Sequence, residues 1–155
     1  MKIKYITIIV FIIYIFSFPA IAKAEIVPIK YLDSCYVYEE MSEKDIYISD
    51  NKELAEKIYI IITDLFSENA NYIPKGSKLI SVEYVNNKLY LNFNNEIISY
   101  GGGSNYEIRQ ILNNVFQFEE IKYLTIQIDN DLKYFPEGSF FHNYSRNDYL
   151  IQKSI

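Results

Sequence analysis

Between Lys78 and Phe93, two β-favouring runs are joined by Asn86-Asn87, a pair that accepts the positive φ angles of a two-residue turn. So short a loop fixes the pairing: Tyr84 falls opposite Leu89, Val82 opposite Leu91 and Ile80 opposite Phe93. Three apolar pairs therefore share one face. The other face receives Ser81 with Asn92, Glu83 with Tyr90 and Val85 with Lys88. A slip of one residue would turn the apolar set into water, so the register is well specified. A sheet that is apolar on one side only must be covered by a second layer on that side.

The flanking segments offer that layer. Leu54, Ile58, Ile61, Ile62 and Leu65 recur at helical spacing, and Asp50 with Glu53 reads as a capping box, so a helix is predicted over Asn51–Ser67. Tyr59 and Ile60 are expected to widen its apolar face. A second helix is predicted from the Ser104…Glu107 capping box to about Phe118, carried by Ile108, Ile111, Leu112, Val115 and Phe116. A third strand, Ile121–Asp129, alternates: Leu124, Ile126 and Ile128 point inward, Tyr123, Thr125 and Gln127 outward. Asn130-Asp131 is expected to turn the chain into Leu132–Phe135, with regular structure ending at Pro136 and Gly138. Ahead of all this, Ile26–Leu32 and Tyr36–Met41 read as a β preamble, Pro28 marking the first as an edge or entry strand. The expected fold is α+β. Two helices cover one face of a small mixed or antiparallel sheet, in the order helix-strand-strand-helix-strand after the preamble.

The N-terminus has the layout of an export signal. Lys2 and Lys4 precede an uncharged run from Tyr5 to Phe18, shorter than the ~20 residues a membrane span needs, and Ala22-Lys23-Ala24 supplies a small-x-small cleavage site. The expected organisation is a signal peptide over 1–24, a domain over 25–138 and a C-terminal tail over 139–155. If residues 1–24 are retained, they are the chain's membrane contact. Cleavage after Ala24 removes three of the 15 basic residues and none of the 20 acidic ones, moving the net charge from −5 to about −8. Such a balance repels a phosphate backbone, which argues against nucleic acid as a partner. A lone Cys35 has no partner for an internal disulfide, and its distance past the hydrophobic run, with Asp33 beside it, speaks against lipid attachment.

With one His and one Cys, most catalytic and metal chemistry has no residues to run on. Gly101-Gly102-Gly103 precedes a helix but lacks the Lys-Ser/Thr pair of a phosphate loop. Asp129-Asn130-Asp131 opens like a calcium loop but lacks its glycine and distal glutamate. His142 has no base-and-orienter set, and Glu39-Glu40 and Glu119-Glu120 are sequence neighbours that do not face each other across a cleft. No catalytic, cofactor or metal residue is expected, and no cofactor. What remains is the outward sheet face, Glu83, Tyr90, Asn92, Tyr123, Thr125 and Gln127, as a candidate interface, since tyrosine joins a large contact area to a hydrogen-bonding tip.

The run Ile73-Pro74-Lys75-Gly76-Ser77-Lys78-Leu79-Ile80-Ser81-Val82 resembles the opening of the GerMN domain of sporulation and spore-germination proteins. The strand Leu89–Asn94, the helix start Gly103-Ser104-Asn105-Tyr106-Glu107 and the late strand Leu124–Asp129 follow in the family's order. The chain departs from the family pattern at Leu65–Asn69, and again at Asn130, which stands where the family has glycine. The resemblance implies an extracytoplasmic, non-enzymatic domain similar in element order to the ring-building modules of sporulation complexes. Its implied role is structural or assembly-related, in sporulation or spore germination, with other proteins or further copies of itself as partners. The alternative expectation is a secreted domain for cell-wall glycan or peptide, with tyrosines as stacking surfaces on the free sheet face.

Overall fold

The computed structural model describes residues 23–32, 41–67, 72–99 and 106–153. Two antiparallel strands, β1 (Ala24–Leu32) and β2 (Met41–Ser49), form a ribbon. Helix α1 (Leu54–Ser67) leads into the hairpin β3 (Leu79–Val85) and β4 (Lys88–Phe93). A short 3₁₀ turn over Asn95–Ile98 precedes helix α2 (Tyr106–Val115), strand β5 (Tyr123–Ile128), the two-residue strand β6 (Tyr144–Ser145) and helix α3 (Arg146–Lys153). The main sheet has the order β3-β4-β5-β6, antiparallel at both outer pairs and parallel between β4 and β5. A parallel neighbour requires a crossover, and α2 lies within it. The α+β architecture expected from the sequence is the one observed.

Leu89, Leu91, Phe93, Leu124, Ile126 and Ile128 line the covered face, all fully or almost fully buried. Against them lie Ile58, Ile61, Ile62 and Leu65 of α1 and Ile108, Ile111, Leu112 and Val115 of α2, forming one continuous core. Phe66 of α1 stacks on Phe93 with ring centroids 5.6 Å apart. Val82 is only half-buried, because β3 is the outermost strand and the helices cover it less completely. The turn joining β3 to β4 forms as expected, with Asn86 at φ 51° and Asn87 at φ 64°.

Several local expectations are corrected. A bulge between Leu79 and Ser81 places Leu79, not Ile80, opposite Phe93, and leaves Ile80 49% exposed. An extra residue on one strand resets the alternation beyond it. Helix α1 starts at Leu54 because the turn that leaves β2 uses the residues before it: the Lys52 amide donates to the Ser49 carbonyl at 3.2 Å. The Glu53 carbonyl accepts the first intrahelical bond, from Lys57. Tyr59 faces solvent instead of widening the apolar face. The second preamble strand is Met41–Ser49; Tyr36 to Glu40 lie outside the described residues, as do residues 1–22 of the expected signal peptide, Cys35, the triple glycine and Ser104.

The turn after β5 comes one residue earlier than expected, at Asp129 (φ 52°) and Asn130 (φ 62°), and Leu132–Phe135 is not a strand. Asparagine is among the few residues that tolerate this left-handed conformation, which accounts for its replacing the glycine of the family pattern. The largest correction concerns residues 139–155, read from the sequence as a tail. Within them β6 pairs with β5, and Phe141 and Tyr149 are buried in the same core as the helices. Arg146 holds this segment in place, its backbone amide donating to the Lys122 carbonyl and its guanidinium to the Phe118 carbonyl.

Candidate functional site

The register of β3, β4 and β5 arranges the uncovered face in three rows: Ser81-Asn92-Gln127, Glu83-Tyr90-Thr125 and Val85-Lys88-Tyr123. All six residues singled out from the sequence lie in these rows. They do not share one environment. Glu83 and Tyr123 are exposed and Tyr90 and Gln127 half-buried, whereas Asn92 is 2% and Thr125 4% exposed.

The two buried ones are held by the turns beside them. Asn92 Nδ2 donates to Asn130 Oδ1 at 2.8 Å, and Asn92 Oδ1 accepts from the Asn130 amide at 2.9 Å, bracing the turn after β5. Thr125 Oγ1 accepts from the Asn143 amide at 3.1 Å, where the chain passes β5 on its way into β6. Asn92 and Thr125 are therefore structural members of the face. Their roles were not legible in the alternation pattern, because the segments that cover them are contributed by residues 130 and 143.

Lys88 and Asn143 were missed by sequence reasoning and extend the exposed part of the face. The Lys88 ammonium stands 5.7 Å from the centroid of the Tyr123 ring, a cation–π arrangement, and donates to Asn143 Oδ1 at 3.2 Å. Asn143 sits at φ 52° and its Nδ2 lies 3.0 Å from His142 Nε2. A lysine facing a tyrosine across neighbouring strands could have been found once the parallel pairing of β4 and β5 was known. Glu119 and Glu120 are exposed, and among the described residues no group of three or more His, Cys, Asp and Glu is placed to hold a metal ion. Also among these residues, no helix is long and apolar enough to cross a membrane.

Away from this face, burial raises the Glu107 carboxyl above the usual range; the hydrogen bond from its own backbone lowers it, and the negative field of Glu137 adds to the rise. Burial also raises the Tyr149 and Tyr144 phenols, and the Tyr149 hydroxyl donates to Asn113 Oδ1 of α2. These contacts tie the C-terminal helix to α2.

Covered on one side by two helices and open on the other, the chain is a one-sided α+β sandwich of the GerMN type. Its fold is similar to the tandem GerMN domains of the sporulation protein GerM from Bacillus subtilis (TM-score 0.58, 15% identity, 84% of this chain and 47% of that one). The first GerMN domain of the same protein matches at TM-score 0.56 and 14% identity over 80% of this chain and 99% of that domain. A Clostridium perfringens protein described as a lipoprotein matches at TM-score 0.51 and 15% identity, over 84% and 93% of the two chains. This chain thus spans about half the length of the tandem GerM structure. No curated protein sequence matches it. The model of the Germane family, described as sporulation and spore germination, matches residues 36–133, and the chain belongs to that family.

Proposed function

We propose that this chain is an exported, non-enzymatic GerMN-type module with a structural or assembly role in sporulation or spore germination, docking protein subunits or further copies of itself. The observation that carries the reading is the open sheet face, where Glu83, Tyr90, Tyr123 and Gln127 remain outward while the opposite face is closed by helices. Family membership supports the cellular context. The tandem arrangement in GerM supports use of this fold as a repeated unit, and the lipoprotein neighbour supports an envelope location. Such a face offers two aromatic side chains with polar tips, a composition suited to protein contact.

Sedimentation velocity over a concentration series tests the role. The wild-type chain self-associates or binds a partner from sporulating cells, and Tyr90→Ser combined with Tyr123→Ser weakens that assembly with little change in thermal unfolding. A double variant that assembles like wild type would move the contact surface elsewhere. Export is tested separately by mass spectrometry. The processed protein begins at Glu25, and Ala24→Gln blocks processing because the small cleavage pocket rejects a bulky polar side chain. Recovery of wild-type protein with residues 1–24 intact would replace the secreted reading with an anchored one.

A further inference from the structure

Beyond the sheet face, the chain presents a second kind of surface. The turn over Phe135–Ser139 is closed by two backbone bonds, from Phe135 to the Ser139 carbonyl at 2.9 Å and from Gly138 to the Phe135 carbonyl at 2.8 Å, with Gly138 at φ 95°. Its two arms alternate. Phe135 and Phe141 turn inward, are buried, and meet edge-to-face at 5.7 Å. Tyr134 and Phe140 turn outward and stack at 4.6 Å, with Tyr134 66% exposed. Two large rings are thus held in water on a base anchored by two buried ones. Phe140 lies 6.3 Å from the His142 ring, and His142 reaches Asn143, Lys88 and finally Tyr123 through the contacts already described. The result is a continuous strip with the stacked Tyr134–Phe140 pair at one end, Tyr123 at the other, and an imidazole, a carboxamide and an ammonium between them.

We propose that this strip, Tyr134-Phe140-His142-Asn143-Lys88-Tyr123, binds an extended amino-sugar polysaccharide. Each sugar in such a strand has an apolar C–H face and a polar rim. The exposed rings take the faces, and the side chains between them hydrogen-bond the hydroxyl and acetamido groups. Lys88 suits a carboxylate substituent. A protein partner would favour an apolar centre with a polar rim, whereas here the polar groups lie between aromatic ends. An extended peptide would seek unpaired backbone, but β5 is already paired on both sides, by β4 and by β6. Nucleic acid also stacks on aromatic rings, but its phosphates are disfavoured by a chain of net charge −5. The strip shares Lys88 and Tyr123 with the third row of the sheet face, but its Tyr134–Phe140 end lies outside all three rows, so variants there test glycan binding separately from assembly.

The test uses the full-length chain with two probes: protease-treated, protein-free peptidoglycan sacculi and soluble N-acetylchitohexaose. The chain cosediments with the sacculi, and the hexasaccharide shifts the amide resonances of residues 134–143. Binding survives about 0.5 M salt, where exposed charge contacts are screened. Tyr134→Ala combined with Phe140→Ala weakens binding at least about tenfold, while Tyr47→Ala, at a 75% exposed tyrosine on β2, leaves it unchanged. If the double variant melts early, Tyr134→Leu keeps apolar bulk beside Phe140 and still loses binding, and Tyr134→Phe retains it. The proposal is overturned if neither probe binds, if these variants bind like wild type, or if Tyr47→Ala is equally defective. Binding to untreated sacculi alone would identify a wall-associated protein as the occupant and overturn it as well. A wild-type chain that neither self-associates nor binds a protein partner, yet still binds glycan, would defeat only the assembly reading.

Discussion

Asn114 closes the edge of β1 that β2 does not pair: its Oδ1 accepts from the Lys30 amide at 2.9 Å, and its Nδ2 donates to the Lys30 carbonyl at 2.6 Å. One turn earlier on α2, Gln110 Oε1 accepts from the Leu32 amide at 2.9 Å. The i, i+4 spacing puts both amides on one stripe of the helix, at the rise of a neighbouring strand's backbone. Both side chains are completely buried. Asn114→Leu should therefore cost about 1–3 kcal/mol in denaturant titration, since it leaves the part-buried amide and carbonyl of Lys30 without this partner. Glu107, on the same helix, makes a pH prediction. Its carboxyl is raised in the folded state above 4.5, so the folded chain holds this proton more tightly than the unfolded chain does. Its contribution to stability is then undiminished below that value and is lost as pH rises through the folded pKa. Glu107→Gln should raise the thermal midpoint at about pH 7 and leave it nearly unchanged at about pH 4. A midpoint lowered at both values would assign the carboxylate a stabilising contact instead.

For the β3–β4 hairpin, the turn pair and five of the six cross-strand partners follow directly from Asn86-Asn87 and the alternation. They end where the bulge begins. The two registers make opposite predictions for neighbouring residues. Leu91 is completely buried, and Leu91→Ala should cost about 2–5 kcal/mol. Ile80→Ala should stay within about 0.5 kcal/mol, because the bulge has turned that side chain into solvent. Equal losses at both sites would restore the unbroken register. Helix α2 shows a different limit. Its apolar stripe was legible, but Glu107, Gln110, Asn113 and Asn114 on its other side are buried as well. A polar stripe normally signals solvent; here it meets the backbone of β1 and the hydroxyl of Tyr149, partners supplied from 84 and 36 residues away.

On the scale of the whole molecule, the C-terminal segment completes the domain. β6 extends the sheet, and Phe116 contacts both Tyr144 and Tyr149, at 6.2 and 5.1 Å. Removing two buried aromatic side chains, Phe141 and Tyr149, costs about 3–5 kcal/mol each, comparable with the entire stability of an ordinary domain of about 5–15 kcal/mol. A chain ending at Gly138 should therefore show no cooperative thermal transition by circular dichroism. A truncated chain that melts within a few degrees of the full-length one would make residues 139–155 a dispensable appendage.

Local periodicity determined the two helices, the hairpin with its turn, the inward residues of β5 and, through the short motifs between them, the family. Those signals depend on neighbours within a few residues of one another, so a chain read alone displays them. Tertiary structure alone decided that Asn92 and Thr125 would be buried, that α2 would bury its polar stripe, and that Tyr134, Phe140, His142, Asn143, Lys88 and Tyr123 would form one strip. Each of these outcomes needs a contact with a segment far along the chain. A polar residue whose hydrogen-bond partner is distant looks, in sequence, the same as one that faces water.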